Sequence, residues 1–450
     1  MLSNLTSTLR SLWLGLPSIL YNEPSKIPPL PVELIMQIIE YVHEDKDVLK
    51  ACTLVSKTWF PTAHSLLFGH PTVILFDTPE LDLLSILQNL HRTTRDLTYI
   101  RALTIEYRLS ALCDDPTPTV LTFRTLMTLT ALLPNLTELE MVNLTLHHES
   151  FLPLRLVEGS DEENCSRDWV KTIRLDSVTY EPPKWDPQPY IFDYLFTIFP
   201  GVEHLFCHGD TERQHLGPAP IDPNAVVLHR TPCPPLKTLS HYSLRKEGHS
   251  AGFVEGIRPF LQSLETLDLT DDQGVGFIPV FEELKGYLWP SLKTLRFGKD
   301  GRTIMRNCIS VPNRVAMYWE ALGLKYFPKL DTVSIVLKRK DMDRHIYLLQ
   351  SLPPTVRTII FELAWGQLEN STFIFKLTRW HRRHIAESVE RGVEKVVFMP
   401  HYLGQKMVPA VKKAIRTRYL PELRERGILH VADFCERLEG CRYTKPPLEL

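Results

Sequence analysis

The chain has 450 residues, 44% of them hydrophobic and 10% aromatic, which is enough apolar material for one large or two unequal folded domains and excludes a disordered chain. Its 51 basic and 53 acidic side chains nearly cancel, so no net field draws the whole molecule to nucleic acid or to an anionic membrane. Eight cysteines, at 52, 113, 165, 207, 233, 308, 435 and 441, form no Cys-x-x-Cys pair, which argues against a zinc ribbon or a disulfide framework and for free thiols in a reducing cytoplasm or nucleus. No apolar run reaches the roughly 18 residues of a membrane span.

In residues 1–26, Arg10 is followed by Leu12, Trp13, Leu14, Leu16, Ile19 and Leu20, a weak likeness to a secretory leader. Pro17 breaks the apolar run and no Ala-x-Ala site follows, so a flexible or amphipathic segment is expected. A first helix then opens at Pro31, where the missing amide costs nothing, and places Ile35, Ile38, Ile39 and Val42 on one face. Asp45 and Asp47 are placed to cap a second helix carrying Val48, Leu49, Cys52, Val55 and Trp59, closed by Phe60-Pro61 before a third apolar run at Leu66, Leu67 and Phe68. About forty residues cannot bury that many large side chains among themselves. Part of the apolar surface is therefore expected to meet another surface.

The combined pattern Leu30-Pro31, Glu33-Leu34, Ile38-Ile39, Tyr41-Val42 and Leu54-Val55-Ser56-Lys57 with Trp59 resembles an F-box over residues 27–70. The Glu44-Asp45-Lys46 break is slightly longer and more polar than the family's commonest form. The resemblance implies three helices that dock onto a Skp-family adaptor, and through it a cullin-RING ubiquitin ligase. Carried over by position, Leu30, Pro31, Leu34, Ile38, Ile39, Val42, Leu54, Val55 and Trp59 would make the adaptor contacts.

From residue 71 to 427 one phrase recurs: apolar, two residues, apolar, one residue, apolar. It runs through Ile100-Leu103-Ile105, Leu136-Leu139-Met141, Val170-Ile173-Leu175, Val202-Leu205-Cys207, Leu236-Leu239, Leu264-Leu267-Leu269, Leu292-Leu295-Phe297, Leu330-Val333-Ile335, Val356-Ile359-Phe361 and Val393-Val396-Phe398. Successive copies lie 26 to 38 residues apart, with helical stretches such as 122–133 and 190–199 between them, the self-similarity of a stacked-repeat array. The phrase resembles the strand of leucine-rich repeats, with Pro-x-Leu-x-x-Leu lead-ins at Pro134, Pro290 and Pro328. It lacks the regular Asn or Cys after the strand and has an uneven, long period. The expected fold class is therefore α/β: an N-terminal three-helix F-box followed by an irregular leucine-rich-repeat-like solenoid. The strand at Val73-Ile74-Leu75 belongs to one end, helices at 372–391 and 407–426 close the other, and 428–450 form a tail.

Alternation along each strand sends every second side chain away from the core. Arg174, His204, Phe206, His208, Tyr242, Asp268 and Arg296 are on that basis the candidate target-binding residues, with Glu138, Glu140, Asp176 and Glu362 on the same face. Repeat arrays bind along such faces. A basic run that includes Arg379, Arg382, Arg383, Lys412, Lys413, Arg416 and Arg418 is expected to be a solvated helix face.

Phosphate-loop, His-Glu-x-x-His and nucleophile-elbow motifs are absent, and Gly274-Val-Gly276 is only a fragment of a dinucleotide loop. His204, Cys207, His208 and Asp210 fall within seven residues, but a strand puts the cysteine on the opposite face from the two histidines. His147-His148 and the His381, His384 pair lack further ligands at metal-binding spacing. The sequence thus predicts no catalytic residues, no cofactor and no metal. The expected function is a non-catalytic substrate receptor of a Skp, cullin and F-box ligase, cytoplasmic or nuclear, binding an adaptor and a protein target but neither nucleic acid nor membrane. The competing reading is a repeat-based protein-binding scaffold with no ubiquitin role.

Overall fold

A computed structural model describes residues 31–42, 45–76, 97–108, 120–147, 169–181, 191–208, 235–242, 257–270, 285–288, 290–297, 323–337, 349–363, 385–400 and 421–431. The N-terminal segment 1–26, Leu30, Asp210, the basic run at 379–383 and 412–418 and the 407–420 part of the closing helix lie outside them. The chain divides into two compact units, 1–69 and 70–450.

The first unit holds helices α1 (Val32–Tyr41), α2 (Lys46–Val55) and α3 (Phe60–Phe68). Pro31 stands at the start of α1, where its carbonyl accepts the amides of Leu34 and Ile35. Asp45 caps α2, its carboxylate accepting the amides of Asp47 and Val48 at 3.1 Å each. The second helix stops at Val55, earlier than the sequence pattern suggested. Ser56 is fully extended, its Oγ accepts the Trp59 amide, and Pro61 opens α3 instead of closing α2. Proline in a first turn forfeits no helical hydrogen bond, so Phe60-Pro61 reads as a start as readily as a stop. Ile35, Ile39, Leu49, Cys52 and Ala63 form the core of this unit, with Val42, Val48, Trp59, Leu66 and Leu67 packed around them.

The second unit is built on one parallel ladder of twelve strands. They are β1 (Thr72–Phe76), β2 (Ala102–Arg108), β4 (Glu138–Val142), β6 (Thr172–Asp176), β8 (His204–His208), β9 (Thr238–Tyr242), β10 (Thr266–Thr270), β11 (Thr294–Phe297), β12 (Thr332–Leu337), β13 (Thr358–Leu363), β14 (Lys395–Pro400) and β15 (Leu429–Val431). Each pairs with its neighbours in chain order, and each of the ten sequence phrases supplies one strand. The first residue of each phrase precedes its strand and is buried, as are Leu103 and Ile105, Leu139 and Met141, Ile173 and Leu175, Leu205 and Cys207, Val333 and Ile335, Ile359 and Phe361, and Val396 and Phe398, together with Leu239, Leu267 and Leu295. Phe361 and Phe398 stack at 5.3 Å on successive rungs. No unit can cover its own strand face, so the array is stable only as a stack.

Two features escaped the sequence reading. Three short strands, β3 (Val120–Thr122), β5 (Thr145–His147) and β7 (Thr179–Glu181), form a second parallel ladder beside the first repeats. The chain turns from β4 into β5 and from β6 into β7 through Asn143 and Ser177, both with positive φ, and the Asn143 amide donates to the Asp176 carbonyl. In addition, Leu429–Val431, assigned by sequence to the tail, joins the ladder on β14. Three residues are too few to show a period. Between strands lie α4 (Phe123–Ala131) and α5 (Ile191–Ile198), both within the helical stretches expected, and the short α6 (Pro421–Glu425) precedes β15.

The residue just ahead of each strand builds a continuous stripe. Lys171, Glu203, Lys237, Glu265, Lys293, Asp331, Arg357 and Glu394 occupy eight consecutive rungs with alternating sign. The carbonyl of each of the first seven accepts two amide protons from the rung that follows it. Glu203 bridges Lys171 at 3.3 Å on one side and Lys237 on the other, Lys293 meets Glu265 at 2.8 Å, and Arg357 meets Glu394 at 2.7 Å. The hydrogen bond from Lys237, with help from Lys171, holds the Glu203 carboxyl below its ordinary range. Glu203→Lys puts three ammonium groups on consecutive rungs. It is expected to lower the melting temperature modestly at low salt, with the difference vanishing near roughly 1 M salt, where screening acts within about 3 Å.

Candidate protein-binding surfaces

Helix α1 is apolar over most of its circumference: within Val32–Tyr41, only Glu33, Gln37 and Glu40 are fully polar. At about 100° per residue, Ile35, Ile39 and Val42 form one stripe, and Leu34, Ile38 and Tyr41 form a second beside it. The first stripe is the unit's interior, with Ile39 at 0% exposure. The second faces outward, where Leu34, Ile38 and Tyr41 are exposed together with Val32 and Met36. The end of α2 adds Leu54, 87% exposed, and Val55, and α3 adds Phe60.

Eight of the nine sequence-nominated adaptor residues are described, and they separate into two groups. Pro31, Leu34, Ile38, Leu54 and Val55 are exposed. Ile39 is enclosed and Val42 and Trp59 pack on the internal core, so these three hold the helices together. Val32, Met36, Tyr41 and Phe60 were missed. Their signal was present in the sequence as a helix with more apolar positions than one buried stripe needs.

On the ladder, the face opposite the core mixes charged and polar side chains with Phe206 and an apolar cluster of Ile360, Val397 and Met399, and much of it is buried. Arg174, with its Nε 2.5 Å from Glu138 Oε1 and its guanidinium 4.2 Å above the Phe206 ring, is buried, as is Phe206. Farther along, Arg296 donates through Nε and Nη2 to Glu362 at 2.6 Å each and through Nη1 to Asp268 at 2.7 Å. Ser334 donates to Glu362 at 2.6 Å, and Ser240 lies 3.4 Å from Asp268. Arg296, Asp268 and Glu362 are 5%, 3% and 1% exposed.

Of the residues that alternation nominated, Arg174, His204, Phe206, Asp268 and Arg296 share one face. Arg174 is engaged by Glu138 and Phe206, and Asp268 and Arg296 by each other, instead of presenting a free surface. The physical reason is size and charge: long guanidinium groups reach across rungs to carboxylates, while Ser240 and Ser334 leave room for them. His204 is half-buried, and burial, opposed by Glu203, lowers its pKa and favours the neutral ring. His208 and Tyr242 lie on β8 and β9 in the same alternation.

Cys207 projects into the core, away from His204. Among the described residues no group of His, Cys, Asp or Glu could hold a metal ion, and no helix is long and apolar enough to cross a membrane.

Among solved structures, the chain is similar to the crystal structure of the leucine-rich repeat-containing protein LegL7 from Legionella pneumophila. The identity is 12% over 76% of this chain and 87% of that one, with a TM-score of 0.35. No protein-family model and no curated protein matches the chain. The class of the molecule follows from its own ladder: an α/β repeat protein with one long parallel sheet, one strand per repeat, and a separate three-helix unit ahead of it.

Proposed function

We propose that the chain is the target-recognition subunit of a Skp, cullin and F-box type ubiquitin ligase, acting in the cytoplasm or nucleus. The observation that carries this reading is the second apolar stripe of α1, which with Leu54 and Val55 leaves large side chains in water on a unit whose core is already complete. Scattered exposed apolar residues are ordinary, but several grouped on one small unit mark a protein-binding surface. Their positions coincide with Leu-Pro, Glu-Leu, Ile-Ile and Leu-Val-Ser-Lys steps of the F-box pattern, so a Skp-family adaptor is the partner they fit. The ladder unit holds the protein to be modified. No side chain of this chain performs chemistry in that role; holding target and ligase together raises their effective concentration.

The intact chain is expected to retain a purified Skp-family adaptor in a pull-down. Failure to do so where a known F-box succeeds overturns the ligase reading and leaves a repeat scaffold.

A further inference from the structure

Asp268 stands on β10 in register with Ser240 on β9 and Arg296 on β11. Its Oδ2 accepts one N–H of Arg296 and lies at the long distance of 3.4 Å from the Ser240 hydroxyl, while its Oδ1 is buried with no hydrogen-bond partner. Glu362, across β12, takes two N–H groups of the same guanidinium and the Ser334 hydroxyl as well. The cation is therefore shared unequally, with two of its N–H groups on Glu362 and one on Asp268. Among the described residues, the charged groups that act on Asp268 are Arg296 on β11 and Glu362 on β13; Arg296 favours its charge and Glu362 opposes it. Where one guanidinium serves two buried carboxylates, the less well solvated one holds a proton most tightly. Burial is the largest influence on Asp268 and pushes its carboxyl above the ordinary range, against the pull of Arg296.

We propose that Asp268 is a proton-binding site built into the ladder, occupied when the strands around it are closed and emptied at a cost that loosens β9 to β11. The neutral acid removes a charge that has too few donors, and its loss on raising the pH restores that charge at a position only 3% exposed. The folded chain then binds more protons than the unfolded chain over the interval between the ordinary and the raised carboxyl pKa. Stability therefore falls as pH rises through that interval, and is flat below it, where both states are protonated. The ladder is in this sense pH-responsive at one place, the rungs around Asp268.

The test compares the full chain with Asp268→Asn, which keeps the shape and removes the charge. Urea midpoints and amide exchange in Thr238–Tyr242, Thr266–Thr270 and Thr294–Phe297 are followed upward from about pH 5, where exposed carboxylates have already ionised. Exchange in the wild type relative to the variant at the same pH is expected to rise, by at most about tenfold per pH unit for one proton, until Asp268 ionises in the folded chain, and to level off above that pH. A wild-type-to-variant ratio that is flat with pH overturns the proposal. Glu362→Gln leaves the guanidinium to Asp268 and is expected to move the dependence to lower pH; an unmoved dependence counts against the shared cation and overturns it equally. Should neither variant fold, the infrared spectrum of wild type labelled at its aspartate carboxyls decides. A carboxylic-acid band that outlasts the ionisation of exposed groups supports the site, and its absence overturns it.

Discussion

Arg296→Met is expected to destabilise the ladder unit by about 3–5 kcal/mol. The guanidinium makes three short bonds to two carboxylates that are almost wholly enclosed. Removing it leaves Glu362 and Asp268 buried without their common cation. The same volume of hydrocarbon cannot compensate, because the loss is the desolvation cost of the groups left behind and not a packing deficit. Arg296→Lys is expected to fall between wild type and Met. A point charge on a flexible stem serves one carboxylate and forfeits the paired geometry that Glu362 receives. Urea midpoints at neutral pH with an unchanged slope check both values. Equal stability of wild type and Arg296→Met means that the trio is not bonded as described.

Leu54→Asp combined with Val55→Asp is expected to weaken adaptor capture by about 30-fold or more, corresponding to the loss of about 2 kcal/mol or more of interface energy. Helix content and melting temperature are expected to remain near wild type, since both side chains are exposed at the end of α2. Ile39→Ala is the contrasting variant. It sits in the internal core at zero exposure and is expected to cost the three-helix unit about 2–5 kcal/mol. Adaptor binding then falls in step with unfolding. A calorimetric titration alongside circular dichroism separates the two: loss of binding with intact helices for the surface pair, and loss of both for the core residue. If the surface pair binds the adaptor as well as wild type does, the exposed end of α2 is not part of the docking surface.

Ten of the twelve strands of the long ladder were legible because each phrase combines a buried lead-in with further apolar residues in strand register, and its recurrence adds evidence that no single copy carries. The strand β15 and the three strands of the second ladder were not, because three residues make no period and their pairing depends on neighbours 25 to 34 residues away. Pro61 was misread for a different reason: the same residue ends one helix or begins another, and only the extended backbone at Ser56 decides between them.

The partition of Ile35 and Ile39 from Leu34 and Ile38 follows from packing against α2 and α3, which periodicity alone does not specify. The nominated polar face of the ladder was legible as a face. Its closure was not, because a sequence shows which residues alternate but not that Arg296 reaches across β12 to Glu362. The charge stripe could have been found. Each of its eight residues follows a buried lead-in directly, and the signs alternate without a lapse from Lys171 to Glu394.

That alternation imposes a parity rule on the array. Excising one interior repeat between Lys171 and Glu394 seats like charges on adjoining rungs, whereas excising two restores the match. Over this stretch the molecule should therefore shorten or lengthen most readily in even steps, so that its natural module of duplication is a pair of repeats.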